Sequence, residues 1–270
     1  MNLNTIVDVK RPKSFDEIEW GEGHAWLAGG TWLFSEPQVT TTTLVDLERL
    51  GWPALTATAE GLDIAATCRI VELHDFEGPP EWRAVPLFGQ CIDAFLMSFK
   101  IWNAATVGGN IVMSLPAGAM VSLTAALEGV LTLWPRKGAP RQVPVMEFVT
   151  GNHQNTLQPG ELLRSIHLPA SALRKRFAMR QVSLTRLGRS AALIVATVDD
   201  NDANFLLTIS AATPRPIHLR FEKTPSAADL RRAIDESLPA DAWFQDVHGS
   251  APYKRHVTHY LAEQVRAELA

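Results

Sequence analysis

The sequence predicts an α+β fold, and three observations carry that expectation. Its 270 residues suit two unequal domains better than a single core. The character of the chain changes around residues 150–175, from mixed segments to a polar, turn-rich stretch. Beyond Arg176, strand-like runs follow one another and two helical runs close the chain, instead of alternating as in a parallel α/β sheet.

The elements follow in order. In "SFDEIEW", Ser14 stands three residues before Glu17, which predicts a capping box opening a short helix after "VDVKRP". "HAWLA", ended by Gly29 and Gly30, reads as a short buried strand, and "TLVDL" as another. "ALTATAEGLDIAATCRIVEL" predicts a hairpin turning at Glu60 and Gly61, then a helix from about Arg69. Leu87, Cys91, Ala94 and Phe95 have helical spacing in "EWRAVPLFGQCIDAFLMS". A second glycine pair, Gly108 and Gly109, forms a loop in "IWNAATVGGNIVMSLPAGAM"; a helix near "MVSLTAALEG" and a strand at "VLTLWP" come next. "TGNHQNTLQPGELL" reads as turns, and "RSIHLPA" as a strand ended by Pro169. "RFAMRQVSLTR", "AALIVATV", "NFLLTISAA" and "PIHLRF" are strands, while "SAADLRRAIDESL" and "APYKRHVTHYLAEQVRAELA" are the closing helices.

Composition narrows the function. Apolar residues make up 46% and charged residues 20%, as in a folded soluble protein. No apolar run is long enough to span a membrane, and the first residues lack the pattern of a secretory signal. The expected compartment is the cytoplasm, with export of the folded chain alongside a signal-bearing partner as the alternative. A net charge of −4 argues against general affinity for nucleic acid. The two cysteines, Cys68 and Cys91, are too few for an iron–sulfur cluster and form no C-x-x-C pair.

The glycine pairs raise the question of chemistry. Glycine permits positive φ and lets main-chain N–H groups converge, and such a nest binds phosphate. Neither pair fits a P-loop or the G-x-G-x-x-G fingerprint. Each alone reads first as a simple turn; two nests closing on one diphosphate, helped by Thr31, Thr106 and Asn110, are the functional alternative.

Four ordered segments then supply a resemblance. "LAGGTWLF", "NAATVGGNIVMSLPAG", "TLQPGELLRSIHLP" and "APYKRHVTHYLAEQV" resemble the FAD-binding medium subunit of molybdenum hydroxylases, the xanthine dehydrogenase and carbon monoxide dehydrogenase family. The resemblance implies a two-part FAD-binding domain of the p-cresol methylhydroxylase type over residues 1–172, followed by a smaller α+β domain over 173–270 with a sheet and C-terminal helices. Carried over by position, Leu27, Ala28, Gly29, Gly30, Thr31, Trp32 and Leu33 would line one side of the diphosphate. Ala105, Thr106, Gly108, Gly109 and Asn110 would line the other, making the two glycine pairs opposing halves of one clamp. Val112, Met113 and Ser114 would continue along the cofactor, Leu162 and Leu163 would pack on its rings, and Arg180 would lie near the isoalloxazine. Two positions depart from the family: Trp32 and Ala119 stand where acidic residues are common, so the sugar contacts are expected from Ser114 or from amides around Gly118.

The same resemblance implies an electron-transfer role. A large molybdopterin-binding subunit would oxidise the substrate, and a small subunit with two clusters of the 2Fe–2S type would feed the FAD. The flavin would pass electrons to NAD, oxygen, a quinone or a carrier protein. A free-standing FAD oxidoreductase of the same fold, or a flavin-free scaffold, is the alternative. The remaining candidates have plainer readings. Among Arg174, Lys175, Arg176, Arg180, Arg186 and Arg189, all but Arg180 read as a solvated strand edge. His256 and His259 read as a helix surface, Asp199, Asp200 and Asp202 as a hairpin turn, and His153 as a polar loop residue. No catalytic side chain and no metal ligand set is expected in this chain.

Overall fold

The computed structural model describes residues 3–270. Three sheets and a small two-stranded ribbon organise it. The first sheet is small and parallel: β1 (Asp8–Lys10) and β2 (His24–Leu27) flank β3 (Thr43–Asp46), with Asp8 and His24 both opposite Thr43. The expected capping-box helix at Ser14 is instead a single 3-10 turn, Phe15–Glu17. Ser14 makes no side-chain cap, and the Glu17 carboxylate accepts from the Lys13 amide at 2.9 Å.

The second sheet is antiparallel with the order β4-β5-β10-β6-β7. The predicted hairpin forms β4 (Leu55–Thr58) and β5 (Gly61–Ala65). Next come α1 (Ile70–His74), α2 (Pro86–Ala94), the single turn α3 (Phe99–Trp102), α4 (Val107–Met113) and α5 (Ala119–Ala126). The chain returns through β6 (Val130–Trp134) and β7 (Arg141–Pro144), the short α6 (Val145–Phe148), and the ribbon β8 (Val149–Gly151) with β9 (Gln154–Asn155). Then β10 (Leu162–Pro169) inserts between β5 and β6, setting Ile166 opposite both Ile64 and Leu131. The register shift between Leu163 and Ser165 keeps Leu163, Ile166 and Leu168 in one core, which is why their spacing breaks strict alternation.

After α7 (Ala170–Leu173), four strands form an antiparallel meander: β11 (Arg176–Ser183), β12 (Ser190–Val198), β13 (Ala203–Ser210) and β14 (Ile217–Lys223). All of β12 is buried. Ala192, Ile194, Ala196 and Val198 pack with α8 (Ala227–Ser237) and α9 (Ala251–Leu269), while Leu193 and Val195 face the other way, into the core of the second sheet. Cover on both faces accounts for the unbroken apolar run "AALIVATV", where a half-solvated strand would alternate. The Asp199–Asp202 turn between β12 and β13 is the predicted hairpin bend, with the Asp202 amide donating to Asp199 O at 3.1 Å.

The small sheet is fastened to the second one by aromatic contacts and hydrogen bonds. Trp26 Nε1 donates to the Glu161 carbonyl at 3.0 Å, and Phe15 meets Trp134 edge-on at 5.1 Å. Trp26 and Trp134 thus act as anchors, as their chemistry favours. Among the described residues no helix is long and apolar enough to cross a membrane.

Candidate functional site

Both glycine pairs open onto one cavity of about 620 Å³, within the ~300–1,000 Å³ range of small-molecule sites. Residues 28–33 form one part of its wall. Ala105, Thr106, Gly108, Gly109, Asn110, Val112 and Met113 form another, and Leu162 and Leu163 a third. The two bends adjoin: a Cβ on Gly29 would lie 1.9 Å from the Ala104 carbonyl oxygen, so only glycine permits the approach. Gly30 takes φ +70°, which favours the same residue.

The pairs nevertheless differ in kind. The first is a true bend after β2. Its Gly29, Gly30, Thr31, Trp32 and Leu33 amides donate to no acceptor among the described residues. The second is not the expected loop but the first turn of α4. Thr106 caps it, accepting from the Gly109 amide at 3.1 Å, and the amides of Val107, Gly108 and Asn110 bond to Cys68, Ala66 and Thr106 carbonyls at 2.9–3.0 Å. A Cβ on Gly108 would stand 2.4 Å from that of Ala66. Gly108 is therefore there for close packing of α4 against the end of β5. Gly109, by contrast, would meet only the Thr106 hydroxyl, at 2.9 Å. The two bends meet at Gly29 and Ala104, and of the two glycine pairs only the first offers free donors.

Three expected residues stand outside the cavity lining. Leu27 belongs to β2. Ser114 is buried in the left-handed residue ending α4, its hydroxyl donating to Ile111 O at 3.1 Å and accepting from Asn155 Nδ2 at 3.2 Å. Arg180 is held by Glu268 of α9 at 2.6 Å. The basic side chain that does line the cavity is Arg189, from the β11–β12 connection, where a solvated edge was expected. Asn110 has a second duty: its Oδ1 accepts from the Met120 amide at 3.0 Å, tying α4 to the start of α5, while Ala119 is buried.

Several lining residues escaped sequence reasoning. Phe95, Leu96, Met97 and Ser98 come from the α2–α3 connection, where the helix stops at Ala94 although the helical spacing runs on to Phe95; Ile101 comes from α3, and Trp26, Gln38, Leu47, Ala66, Leu115 and Leu157 add to the wall. Glu161 also lines it. Its buried carboxylate pairs twice with Arg141, Nε to Oε1 and Nη2 to Oε2, both at 2.7 Å. It accepts a further bond from the Gln158 amide at 3.0 Å. The Arg141 hydrogen bonds hold Glu161 below the usual carboxylate range. Buried Cys68 has its thiol pushed up to about 12 by desolvation, so it stays protonated and unreactive. Trp32 lies beside His153, their ring centroids 5.5 Å apart.

Free amides beside apolar walls describe a site for a ligand that is anionic at one place and aromatic elsewhere. The chain belongs to the family of FAD-binding domains in molybdopterin dehydrogenases, which matches residues 6–171. Two relatives are similar over part of the chain. The putative xanthine dehydrogenase FAD-binding subunit XdhB of Escherichia coli K12 is 26% identical over 63% of this chain and 61% of its own. The 6-hydroxypseudooxynicotine dehydrogenase complex subunit alpha of Paenarthrobacter nicotinovorans is 21% identical over 65% and 62%. The chain thus spans less than two thirds of the length of the relatives it matches. In fold it is similar to a chain of quinoline 2-oxidoreductase from Pseudomonas putida 86, at TM-score 0.79 and 17% identity over 97% of this chain and 96% of that one. The same holds for carbon monoxide dehydrogenase from Oligotropha carboxidovorans, at TM-score 0.79 and 21% identity over 97% and 96%.

The residues present fit FAD. Five unengaged amides in one bend suit a diphosphate, and Leu33, Phe95, Ile101, Val112, Leu162 and Leu163 supply apolar surface for ring systems.

Proposed function

We propose that the chain binds FAD in this cavity and serves as an electron carrier within a multi-subunit molybdenum hydroxylase. It would take electrons from an iron–sulfur subunit and deliver them to an external acceptor such as NAD, oxygen, a quinone or a carrier protein. A large subunit would hold the molybdopterin cofactor. FAD, when bound, supplies the redox chemistry.

What the chain's own residues contribute is holding and shielding. The bend at Gly29–Leu33 would grip the diphosphate through main-chain N–H groups. Gly109 leaves room for the cofactor beside α4, and Asn110 braces α4 against α5. Leu162 and Leu163, from β10, and the 95–101 segment would sandwich the rings and exclude water. The observation that carries the carrier reading is the poverty of acid–base groups on the cavity wall. The ionisable carboxylate there is Glu161, which Arg141 keeps charged, and a useful general base needs a pKa near the working pH. A relay requires no such base, whereas direct oxidation of a substrate C–H bond generally does.

The test is to isolate the chain and its native complex and measure flavin, iron and molybdenum. The isolated chain should carry about one FAD, with iron and molybdenum confined to the other subunits of the complex. A colourless chain, or an isolated chain that turns over a small substrate unaided, would refute the proposal.

A further inference from the structure

A second cleft, of about 560 Å³, shares no lining residue with the flavin cavity. It lies where the small sheet meets the end of β6, between Lys13–Asp16, Leu50, Trp52 and the Trp134–Arg136 turn. Its walls combine aromatic surface with positive charge. Trp134 meets Phe15 edge-on at 5.1 Å and Trp52 edge-on at 5.7 Å, so three rings frame a corner with nearly perpendicular sides. Arg164 covers a face of Trp52 at 4.1 Å and adds a cation behind it.

The polar groups are unevenly satisfied. The Arg136 guanidinium lies 4.7 Å over Phe15 and donates through Nη2 to the Ile18 carbonyl, but its Nη1 is buried with no acceptor among the described residues. That nitrogen is closed off from the cleft, so a ligand would meet the guanidinium through the atoms that remain exposed. The Lys13 ammonium and the Ser14 hydroxyl likewise make no hydrogen bond within the described residues. Asp16 supplies one carboxylate to the same cleft. Among the lining side chains two cations face one anion and leave a single positive charge to be matched, while Arg164, behind the rings, has Asp63 as its own counter-charge.

We infer that this cleft is a binding site for a planar aromatic monocarboxylate, its ring against Trp52 and Trp134 and its carboxylate on Arg136 and Lys13. Guanidinium geometry suits a carboxylate, and the rings accept any flat apolar face. The site also backs onto the flavin cavity. Trp134 is the β6 partner of Leu162 on β10, and Gly160 packs against Trp20 and Arg136 immediately before Glu161.

Calorimetric titration with 2-naphthoate tests the assignment, using the chain saturated with FAD so that the larger cavity is filled. One equivalent should bind. 2-Naphthalenemethanol (the ring without the charge) and acetate (the charge without the ring) should each bind at least tenfold more weakly. Arg136→Met and Lys13→Met should each weaken 2-naphthoate at least fivefold. Lys13 is exposed, so its variant keeps the test valid if loss of Arg136 loosens the Ile18 contact. Absence of saturable binding, equal affinity for acetate, or unchanged affinity in Lys13→Met would overturn the inference. The variant comparisons do not depend on the flavin reading, because Arg136 and Lys13 lie outside the flavin cavity. Should the chain take up no FAD, the same titration on the unloaded chain still separates the two questions.

Discussion

Two adjacent glycines should fail in opposite ways when given side chains. At Gly108, an added methyl would stand 2.4 Å from Ala66 Cβ and 2.7 Å from the Ala66 carbonyl oxygen. Backbone cannot swing aside, so α4 must lift from β5. Overpacking of this kind costs about 1–3 kcal/mol, and contacts this short belong at the upper end. Alanine returns about 1 kcal/mol of helix propensity, leaving Gly108→Ala about 2 kcal/mol less stable. At Gly109 the corresponding methyl would meet only the Thr106 hydroxyl, at 2.9 Å. Losing that cap would cost about 1 kcal/mol, but the branches of Gly109→Val would enter the cavity. Denaturant midpoints and flavin-to-protein absorbance ratios read both variants. Gly108→Ala should lower the midpoint while the folded fraction keeps flavin. Gly109→Val should fold and come out largely colourless, its affinity for FAD down more than tenfold. If Gly109→Val retained stoichiometric flavin, or Gly108→Ala matched the parent in stability, the packing argument would be wrong.

Other expectations follow from single contacts. Arg141→Met takes from the buried Glu161 carboxylate its main partner, which should cost about 1–3 kcal/mol at neutral pH because Arg141 is itself partly exposed; the loss should shrink in acid as Glu161 protonates, read from denaturation at several pH values. Burial pushes His218 from 6.5 down to about 4, with Nε2 bonded to Ala125 O at 3.0 Å. The folded state therefore favours the neutral ring, whose contribution is complete above pH 6.5 and lost as pH falls towards 4. His218→Gln should remove about 3 kcal/mol of that acid sensitivity. Arg180→Ala should leave flavin content unchanged because Glu268 holds this residue outside the cavity, whereas Arg189→Gln should raise the dissociation constant for FAD several-fold by equilibrium dialysis.

The meander and closing helices were legible because their signals are local: unbroken apolar runs for strands, helical spacing for α9. The first glycine bend was equally plain, as an abrupt end to "HAWLA". The nature of the second pair was not. Gly-Gly argues against a helix by propensity, yet the Thr106 cap and contact with Ala66 prevail, and that contact joins residues some 40 apart in sequence. The capping box failed for a related reason: Ser14 and Glu17 have the right spacing, but only one 3-10 turn follows. Choosing Arg189 over Arg180 would have required knowing which strand end points to the cavity and that Glu268 lies within reach of Arg180. The short β1, β7, β8 and β9 carry too few residues to show a period. Resemblance, not periodicity, suggested the cofactor.

Every residue of α5, Ala119 to Ala126, is buried. One side adjoins α4 through the Asn110–Met120 bond, and Ser122 meets Ser210 of β13 at 2.7 Å on another. A keel so enclosed would be stripped bare along one flank if the meander were cut away. Chimaeras that exchange the C-terminal third between relatives should therefore misassemble unless this helix travels with it.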